Sequence, residues 1–126
     1  MRLLLDSHVF LWLLFHPLRV RPHVQQALEA ADSVTVSIVS LWELTLKHTK
    51  GKLPHGPQEL SEGAEALRIN VHPVRTDHIV LLPELRLEHK DPFDQLLIAQ
   101  CQVDQLVLVT ADTALLTSDY ATLDAR

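Results

Sequence analysis

Short apolar runs alternate along the chain with longer segments in which apolar residues recur at helical spacing. The short runs at 2–5, 33–37, 69–74 and 106–109 predict strands, with a final edge strand at 121–123. The segments between them predict helices at 8–15, 21–31, 40–51, 58–67, 76–82, 92–101 and 113–117. Short apolar strands that alternate with helices predict an α/β fold, in which helices cover both faces of a mostly parallel sheet of four to five strands.

The segment 91–101 carries the strongest signal for the start of a helix. Asp91 suits the N-cap, Pro92 suits the first helical position, and Asp94 falls at the third, where its carboxylate can reach back to the cap. The residues after Asp94 are apolar on nearly every face, which predicts a buried helix. Cys101 lies on this helix and is therefore interpreted as a small core side chain rather than a nucleophile.

Right-handed crossovers place the carboxyl ends of parallel strands, and the helix starts that follow them, along one edge of the sheet. Ligands of open α/β sheets bind at that edge. Four acids are predicted there: Asp6 after the first strand, Glu43 in the first turn after the second, Asp94 at the start of the long helix, and Asp112 after the fourth strand.

Each acid also has a simple structural explanation as a helix-capping residue. Asp6 and Asp112 can cap helices, Ser7 can cap the first helix, Glu43 can complete a capping box with Ser40, and Asp94 can partner Asp91. Four crowded carboxylates are harder to explain by capping alone, because two unit charges about 4 Å apart repel by roughly 4 kcal/mol at an effective dielectric near 20.

A bound divalent cation would offset this repulsion. Hard oxygen ligands without thiolate select Mg²⁺ or Mn²⁺. Such a site can activate water and stabilise the charge that develops on a phosphate. The four acids therefore favour phosphodiester hydrolysis over glycoside hydrolysis, which needs only two carboxyl groups.

Composition limits the other possibilities. The 126 residues fit a single domain, 1–126, and the 47% apolar and 21% charged residues are typical of a globular protein. The net charge of -5 excludes a surface coated with basic residues for nonspecific nucleic-acid binding. One cysteine excludes an internal disulfide and a multi-thiolate metal site. No secretory signal or membrane-spanning run is found, so a soluble cytoplasmic protein without membrane partners is expected.

Four stretches resemble the acidic motifs of PIN domains, and they are most similar to those of VapC-type toxins from bacterial toxin–antitoxin pairs. They are Asp6, the sequence SIVSLWE at 37–43, DPFDQLLIAQ at 91–100 and LVTAD at 108–112. The resemblance covers essentially the whole chain. It departs from the usual motifs at Gln95 and Ala111, where many relatives carry a basic residue.

The resemblance implies a PIN-like three-layer α/β/α fold and a metal-dependent endoribonuclease that acts as the toxin of a toxin–antitoxin pair. It places Asp6, Glu43, Asp94 and Asp112 around Mg²⁺ or Mn²⁺. It also implies a homodimer that is neutralised by a cognate antitoxin protein. As a hypothesis, Asp6 and Asp94 are the main metal ligands, and Glu43 or Asp112 orients the attacking water.

Other residues are assigned supporting roles, each beside a structural alternative. Ser7 and Thr110 either hold metal ligands in place or bond to backbone, and Asp91 is assigned to capping first and to metal support second. Lys47, Lys50 and Lys52 either complement a helix dipole or contact RNA phosphates, together with Arg86 and Lys90. His89 is a candidate substrate contact or a capping residue.

The aromatic residues Phe10, Trp12, Phe15 and Trp42 are assigned mainly to the core, with a smaller share to an antitoxin or dimer surface. A phosphoacceptor receiver module, which is a signalling switch, is the main alternative function. It usually has paired acids after the first strand and a late lysine, whereas Asp6 has no acidic neighbour and no lysine follows Lys90. A catalytically inactive PIN-like scaffold is the third interpretation.

Overall fold

The computed structural model describes residues 1–88 and 90–126, so the suggested substrate contact of His89 lies outside the described residues. Five strands alternate with seven helices in the described part. In chain order they are β1 (Arg2–Leu5), α1 (Ser7–Phe15), α2 (Pro22–Ala30), β2 (Ser33–Ser37), α3 (Ile38–Thr49), α4 (Pro57–Ala66), β3 (Asn70–His72), α5 (Thr76–Leu81), α6 (Pro92–Asp104), β4 (Val107–Thr110), α7 (Thr113–Leu116) and β5 (Thr122–Asp124). Short 3₁₀ segments cover Pro17–Arg19 and Leu82–Glu84.

The five strands form one sheet in the order β3-β2-β1-β4-β5, and every pairing is parallel. The prediction of a mostly parallel sheet of four to five strands between helical layers is confirmed. Leu5 at the end of the central strand is opposite both Val36 and Val109. The residues that follow each of these three are therefore level at the carboxyl edge of the sheet.

The central strand explains why the sheet is covered on both faces. Leu3, Leu4 and Leu5 are all fully buried, although successive side chains of a strand point to opposite faces. Leu3 and Leu5 pack into one core with α1, α2 and α4, and Leu4 packs into a second core with α6. A run of apolar residues without alternation is the pattern of a parallel strand buried between two helical layers.

Helix α6 is buried on nearly all sides, as its sequence predicts. Five consecutive residues, 97–101, are buried, and Gln100 among them donates a hydrogen bond of 3.1 Å from Nε2 to the carbonyl of Pro73. Burial raises the pKa of the Cys101 thiol to about 12, which keeps it protonated and unreactive. Cys101 is a core residue, as predicted.

The strand order excludes the receiver-module alternative. Receiver domains have the doubly wound order 2-1-3-4-5, in which the third strand lies beside the first. In this chain the third strand is at the sheet edge beyond β2, and β4 lies beside β1.

No helix in the described ranges 1–88 and 90–126 is long and apolar enough to cross a membrane.

Two predicted helix starts are wrong. Helix α1 is capped by Asp6 and begins at Ser7, so Ser7 is its first residue and not its cap. Helix α3 begins at Ile38 with Ser37 as its cap, whose hydroxyl accepts from the Val39 amide at 3.0 Å. The predicted capping box at Ser40 therefore does not form, and the Ser40 hydroxyl is buried without a hydrogen-bond partner among the described residues.

One aromatic assignment is also wrong. Trp42 was expected mainly in the core, but it is 58% exposed on α3. Phe10 is fully buried, and Trp12 and Phe15 are half-buried against the same core.

Candidate active site

Asp6 is the central acid of the carboxyl edge. It directly follows the central strand, and its backbone amide continues the ladder by donating to the Val109 carbonyl at 2.9 Å. Its Oδ1 accepts from the Ser7 amide at 2.7 Å and its Oδ2 accepts from the Thr110 hydroxyl at 2.7 Å. Only 6% of Asp6 is exposed, so this carboxylate is fixed by its neighbours.

Ser7 connects Asp6 to the second acid. Its buried hydroxyl donates to Glu43 Oε1 at 2.6 Å, which joins α1 to α3. Glu43 is the sixth residue of α3 and so lies in the second turn, not the first turn that was predicted. Because α3 begins at Ile38, this carboxylate cannot reach back to the cap and points across to α1 instead.

Thr110 connects Asp6 to the backbone of the third acid, Asp112. Its hydroxyl donates to Asp6 and also accepts from the Asp112 amide at 3.0 Å. Asp112 caps α7, since its Oδ1 accepts from the Ala114 amide at 2.8 Å. The hydroxyl and amide of Ser7 and the hydroxyl of Thr110 thus link the segments of Glu43, Asp6 and Asp112 into one hydrogen-bonded chain.

The fourth acid, Asp94, is the third residue of α6 and is 9% exposed. Asp91 caps this helix as predicted, with its Oδ1 accepting from the Phe93 amide at 2.8 Å and from the Asp94 amide at 3.3 Å. The rings of Trp42 and Phe93 meet edge to face, with centroids 5.2 Å apart. This contact holds the start of α6 against α3, one residue away from both Glu43 and Asp94.

The donor set of this edge fits a hard divalent cation. It consists of carboxylate oxygens, and Asp6, Glu43 and Asp112 form no salt bridge with any residue of 1–88 or 90–126. The four acids do not have three carboxylate oxygens within 4.8 Å of one another in the described part. Their assignment as metal ligands remains a prediction.

A tighter group of potential ligands lies elsewhere, and the sequence did not predict it. Asp104 Oδ2 is 2.6 Å from His72 Nε2 and 2.7 Å from His78 Nε2. Asp104 is ten residues after Asp94 on α6, which corresponds to about 15 Å along the helix. The two histidines are 26 and 32 positions from Asp104, so no local pattern could have indicated this group.

Hydrogen bonding opposes a metal at this second group. His78 Nδ1 accepts from the Arg75 amide at 2.8 Å, so the proton of a neutral ring lies on Nε2, the atom that faces Asp104. A histidine that binds a metal normally donates from its other nitrogen. Burial opposes ionisation of Asp104, but hydrogen bonds from Arg75, His72 and His78 hold the pKa of this carboxyl well below its usual value. The group is a structural connection between α6, α5 and β3.

The three predicted lysines lie at the far end of α3. Lys47 is half-buried in the last turn, and Lys50 and Lys52 are exposed beyond it. Lys50 is seven residues after Glu43, or about 10 Å along the helix. The structure does not bring these cations into the acidic group. Arg86 and Lys90 are exposed in the segment before α6, at the end that carries Asp94.

A three-layer α/β/α fold with acidic side chains along the carboxyl edge of a parallel sheet is the architecture of a PIN domain. The chain belongs to the PIN domain family, whose sequence model matches residues 3–118, and this is a family of nucleases. The family resemblance drawn from the four acidic motifs is confirmed. Comparison with curated protein sequences gives no significant match.

Solved structures give the same fold. The chain is similar to VapBC2 from Rickettsia felis bound to a DNA fragment from its promoter, with 15% identity, 100% of both chains covered and a TM-score of 0.76. DNA-bound VapBC from Salmonella typhimurium matches with 17% identity, coverage of 100% and 99%, and a TM-score of 0.74. A toxin–antitoxin complex from Klebsiella pneumoniae matches with 21% identity, 98% of both chains and a TM-score of 0.67. At these identities the likeness concerns the fold.

Proposed function

We propose that the chain is a metal-dependent endoribonuclease and that Asp6, Glu43, Asp94 and Asp112 form its catalytic site. The observation that carries this proposal is the chain of hydrogen bonds through Ser7 and Thr110. Asp6 accepts from the Ser7 amide and the Thr110 hydroxyl, and the same two residues also bond to Glu43 and to the Asp112 amide, at an edge where α/β folds bind ligands. Capping alone explains Asp6 and Asp112, but it does not explain why Glu43 turns toward them.

The acids have distinct tasks in this proposal. Mg²⁺ or Mn²⁺ would be held mainly by Asp6 and Asp94, and when bound it would stabilise the negative charge on the phosphate. Ser7 and Thr110 hold the carboxylates in place, which maintains ligand geometry. Glu43 or Asp112 accepts a hydrogen bond from the attacking water and orients it toward phosphorus. Lys47, Lys50 and Lys52 are proposed to contact phosphates farther along the RNA.

The family and the exposed surface support the proposed protein partners. Toxin–antitoxin complexes are among the structures that share this fold, and we propose that an antitoxin protein neutralises this chain in the cytoplasm. Ile38 is 45% exposed and Trp42 is 58% exposed, one turn apart on α3 beside the acidic edge. An apolar antitoxin segment that covers these two side chains would also block the site. We further propose a homodimer, which size measurement in solution by light scattering tests.

The decisive experiment compares purified wild-type protein with Asp94→Asn on unstructured RNA. The wild type is expected to cleave in Mn²⁺ or Mg²⁺ and to stop when EDTA is added. Asp94→Asn should lose the activity while it keeps a cooperative melting transition, because the exchange removes a charge and preserves shape. Equal cleavage by both proteins would contradict the site assignment.

The same experiment separates the remaining alternative. A catalytically inactive PIN-like scaffold would leave RNA intact with every metal, yet would still bind an antitoxin. Induced expression of the wild type and of Asp94→Asn in bacterial cells extends the comparison. Growth arrest by the wild type alone supports a toxin, and growth arrest by both proteins would indicate an effect unrelated to nuclease activity.

A further inference from the structure

A cavity of about 250 Å³ opens beside the acidic edge and is lined by residues of two chemical kinds. Its lining combines the two acids Asp6 and Asp112 with the side chains of His8, Trp12 and Ala111. His8 and Trp12 are one turn apart on α1, so both rings face the cavity from the same helix. The cavity is therefore an aromatic pocket directly next to the proposed catalytic acids.

Arg19 does not line this pocket, but it places a cation against Trp12, which does. It lies in the 3₁₀ segment Pro17–Arg19, and its guanidinium carbon is 4.8 Å from the centroid of the Trp12 ring. This distance is within the range of a cation–π interaction, which keeps the guanidinium near the pocket. Arg19 is exposed and pairs with no carboxylate within the described ranges, so its charge is available to a ligand.

We propose that this pocket binds an unpaired nucleotide of the RNA next to the cleaved bond. The base contacts Trp12 and His8, and Arg19 binds a neighbouring phosphate. Proteins that recognise single-stranded RNA commonly combine aromatic rings with arginine in this way. A paired base is not available for such stacking, so the substrate class is RNA with unpaired nucleotides. This inference depends on the proposed nuclease function, since the acids fix where the phosphate lies.

The charge pattern favours RNA over a protein segment in this pocket. An apolar side chain would desolvate Asp6 and Asp112 without pairing them, which is unfavourable. A cationic side chain would pair with the acids but would be repelled by Arg19. A nucleotide avoids both problems, because its base packs on the aromatic rings and its phosphate pairs with Arg19.

The two tryptophans of the chain allow a direct test. In the Trp42→Phe, Asp94→Asn double variant, Trp12 is the only tryptophan and RNA is not cleaved. A 12-nucleotide RNA without self-complementarity is expected to quench Trp12 fluorescence, and the same strand annealed to its complement is not. In the matched Trp12→Phe, Asp94→Asn variant, the remaining Trp42 should respond little. Quenching of Trp42 alone, or equal quenching by duplex, would overturn the proposal.

Binding measurements on Asp94→Asn complete the test. Trp12→Leu should weaken binding of the same RNA by roughly 5- to 150-fold, with a smaller loss for Trp12→Phe. Arg19→Ala should weaken it and lower the slope of log affinity against log salt by about 1, whereas exposed Arg21→Ala should change neither. Because Arg19 is exposed, its variant remains informative if Trp12→Leu melts early.

The outcomes distinguish this inference from the proposed function. If the wild type cleaves RNA but Trp12 and Arg19 variants bind normally, the nuclease assignment stands and the pocket assignment fails. If the wild type neither cleaves nor binds, the proposed function fails as well. A Trp12 response to an arginine-rich hexapeptide but not to RNA would identify a cationic protein segment as the occupant and would overturn the inference.

Discussion

Thr110 stabilises the fold and also positions residues of the proposed catalytic site. One buried hydroxyl donates to Asp6 and accepts from the Asp112 amide, so a single atom positions two of the four acids. Replacement by valine preserves shape and removes both bonds. We expect Thr110→Val to lower the free energy of unfolding by about 1–3 kcal/mol. Cleavage should fall by roughly 10–100-fold, the usual cost of losing a residue that holds a metal ligand.

Thr35→Val is the matched control for this prediction. Its hydroxyl is also buried on a strand of the same sheet, but it donates to the Leu3 carbonyl at 2.8 Å and touches none of the acids. Urea unfolding and RNA cleavage are measured for both variants. If Thr35→Val loses as much activity as Thr110→Val, the effect of Thr110 comes from stability alone and not from its contact with Asp6.

The elements with the clearest sequence signals formed as predicted, because local chemistry determines them. The buried leucines of β1 and the Asp91–Pro92 start of α6 need no distant partner to be recognised. The start of α3 was misplaced because Ser37 and Ser40 are equally good caps in sequence. The sheet decides between them, since β2 remains paired with β3 through Ser37.

The contacts of the candidate site were less predictable from the sequence than the helices and strands. Topology alone placed the four acids near one edge, but the hydrogen bonds of Ser7 and Thr110 depend on side-chain positions that no pattern specifies. The group around Asp104 was missed entirely, because His72 and His78 meet it only after α5 packs against α6. The exposure of Trp42 was not predicted, because an apolar residue on a helix is assigned to the core unless its neighbours in space are known.

The junction of α6, α5 and β3 at Asp104 makes stability depend on pH. Because its folded pKa is lowered below the usual 3.8, ionised Asp104 stabilises the fold above about pH 4. That contribution is lost as the pH falls toward the lowered folded value. We expect Asp104→Asn to be less stable than wild type by about 1–3 kcal/mol at pH 7. The difference should shrink between about pH 4 and pH 2.

Urea unfolding at pH 7, 4, 3 and 2 measures this dependence. Asp119→Asn, at an exposed position, serves as the control and should differ little from wild type throughout the series. A deficit of Asp104→Asn that stays constant down to pH 2 would mean that the asparagine is destabilising for another reason, such as altered packing around His78.

At the scale of the whole molecule, two groups of ligands compete as the binding site for a divalent ion. The acidic edge has the oxygen donors that Mn²⁺ prefers. The ligand atoms of the Asp104 group are closer together, but His78 carries a proton on Nε2, the nitrogen that would have to bind the metal. Any ligand that binds only the folded state stabilises it, by about 2.7 kcal/mol at a concentration 100 times its dissociation constant. Thermal melting with Mn²⁺ therefore identifies the group that binds.

We expect saturating Mn²⁺ to raise the melting temperature of the wild type by several degrees. The shift should be lost in Asp94→Asn and in Asp6→Asn, because each removes a charged ligand from the acidic edge. His72→Ala should melt earlier than wild type without metal, since it breaks the contact with Asp104, yet it should keep the full shift. The opposite pattern would be a shift that is retained in Asp6→Asn and Asp94→Asn and lost in His72→Ala. That result would assign the metal to the Asp104 group. It would also remove the physical basis for a metal-dependent nuclease site at the sheet edge.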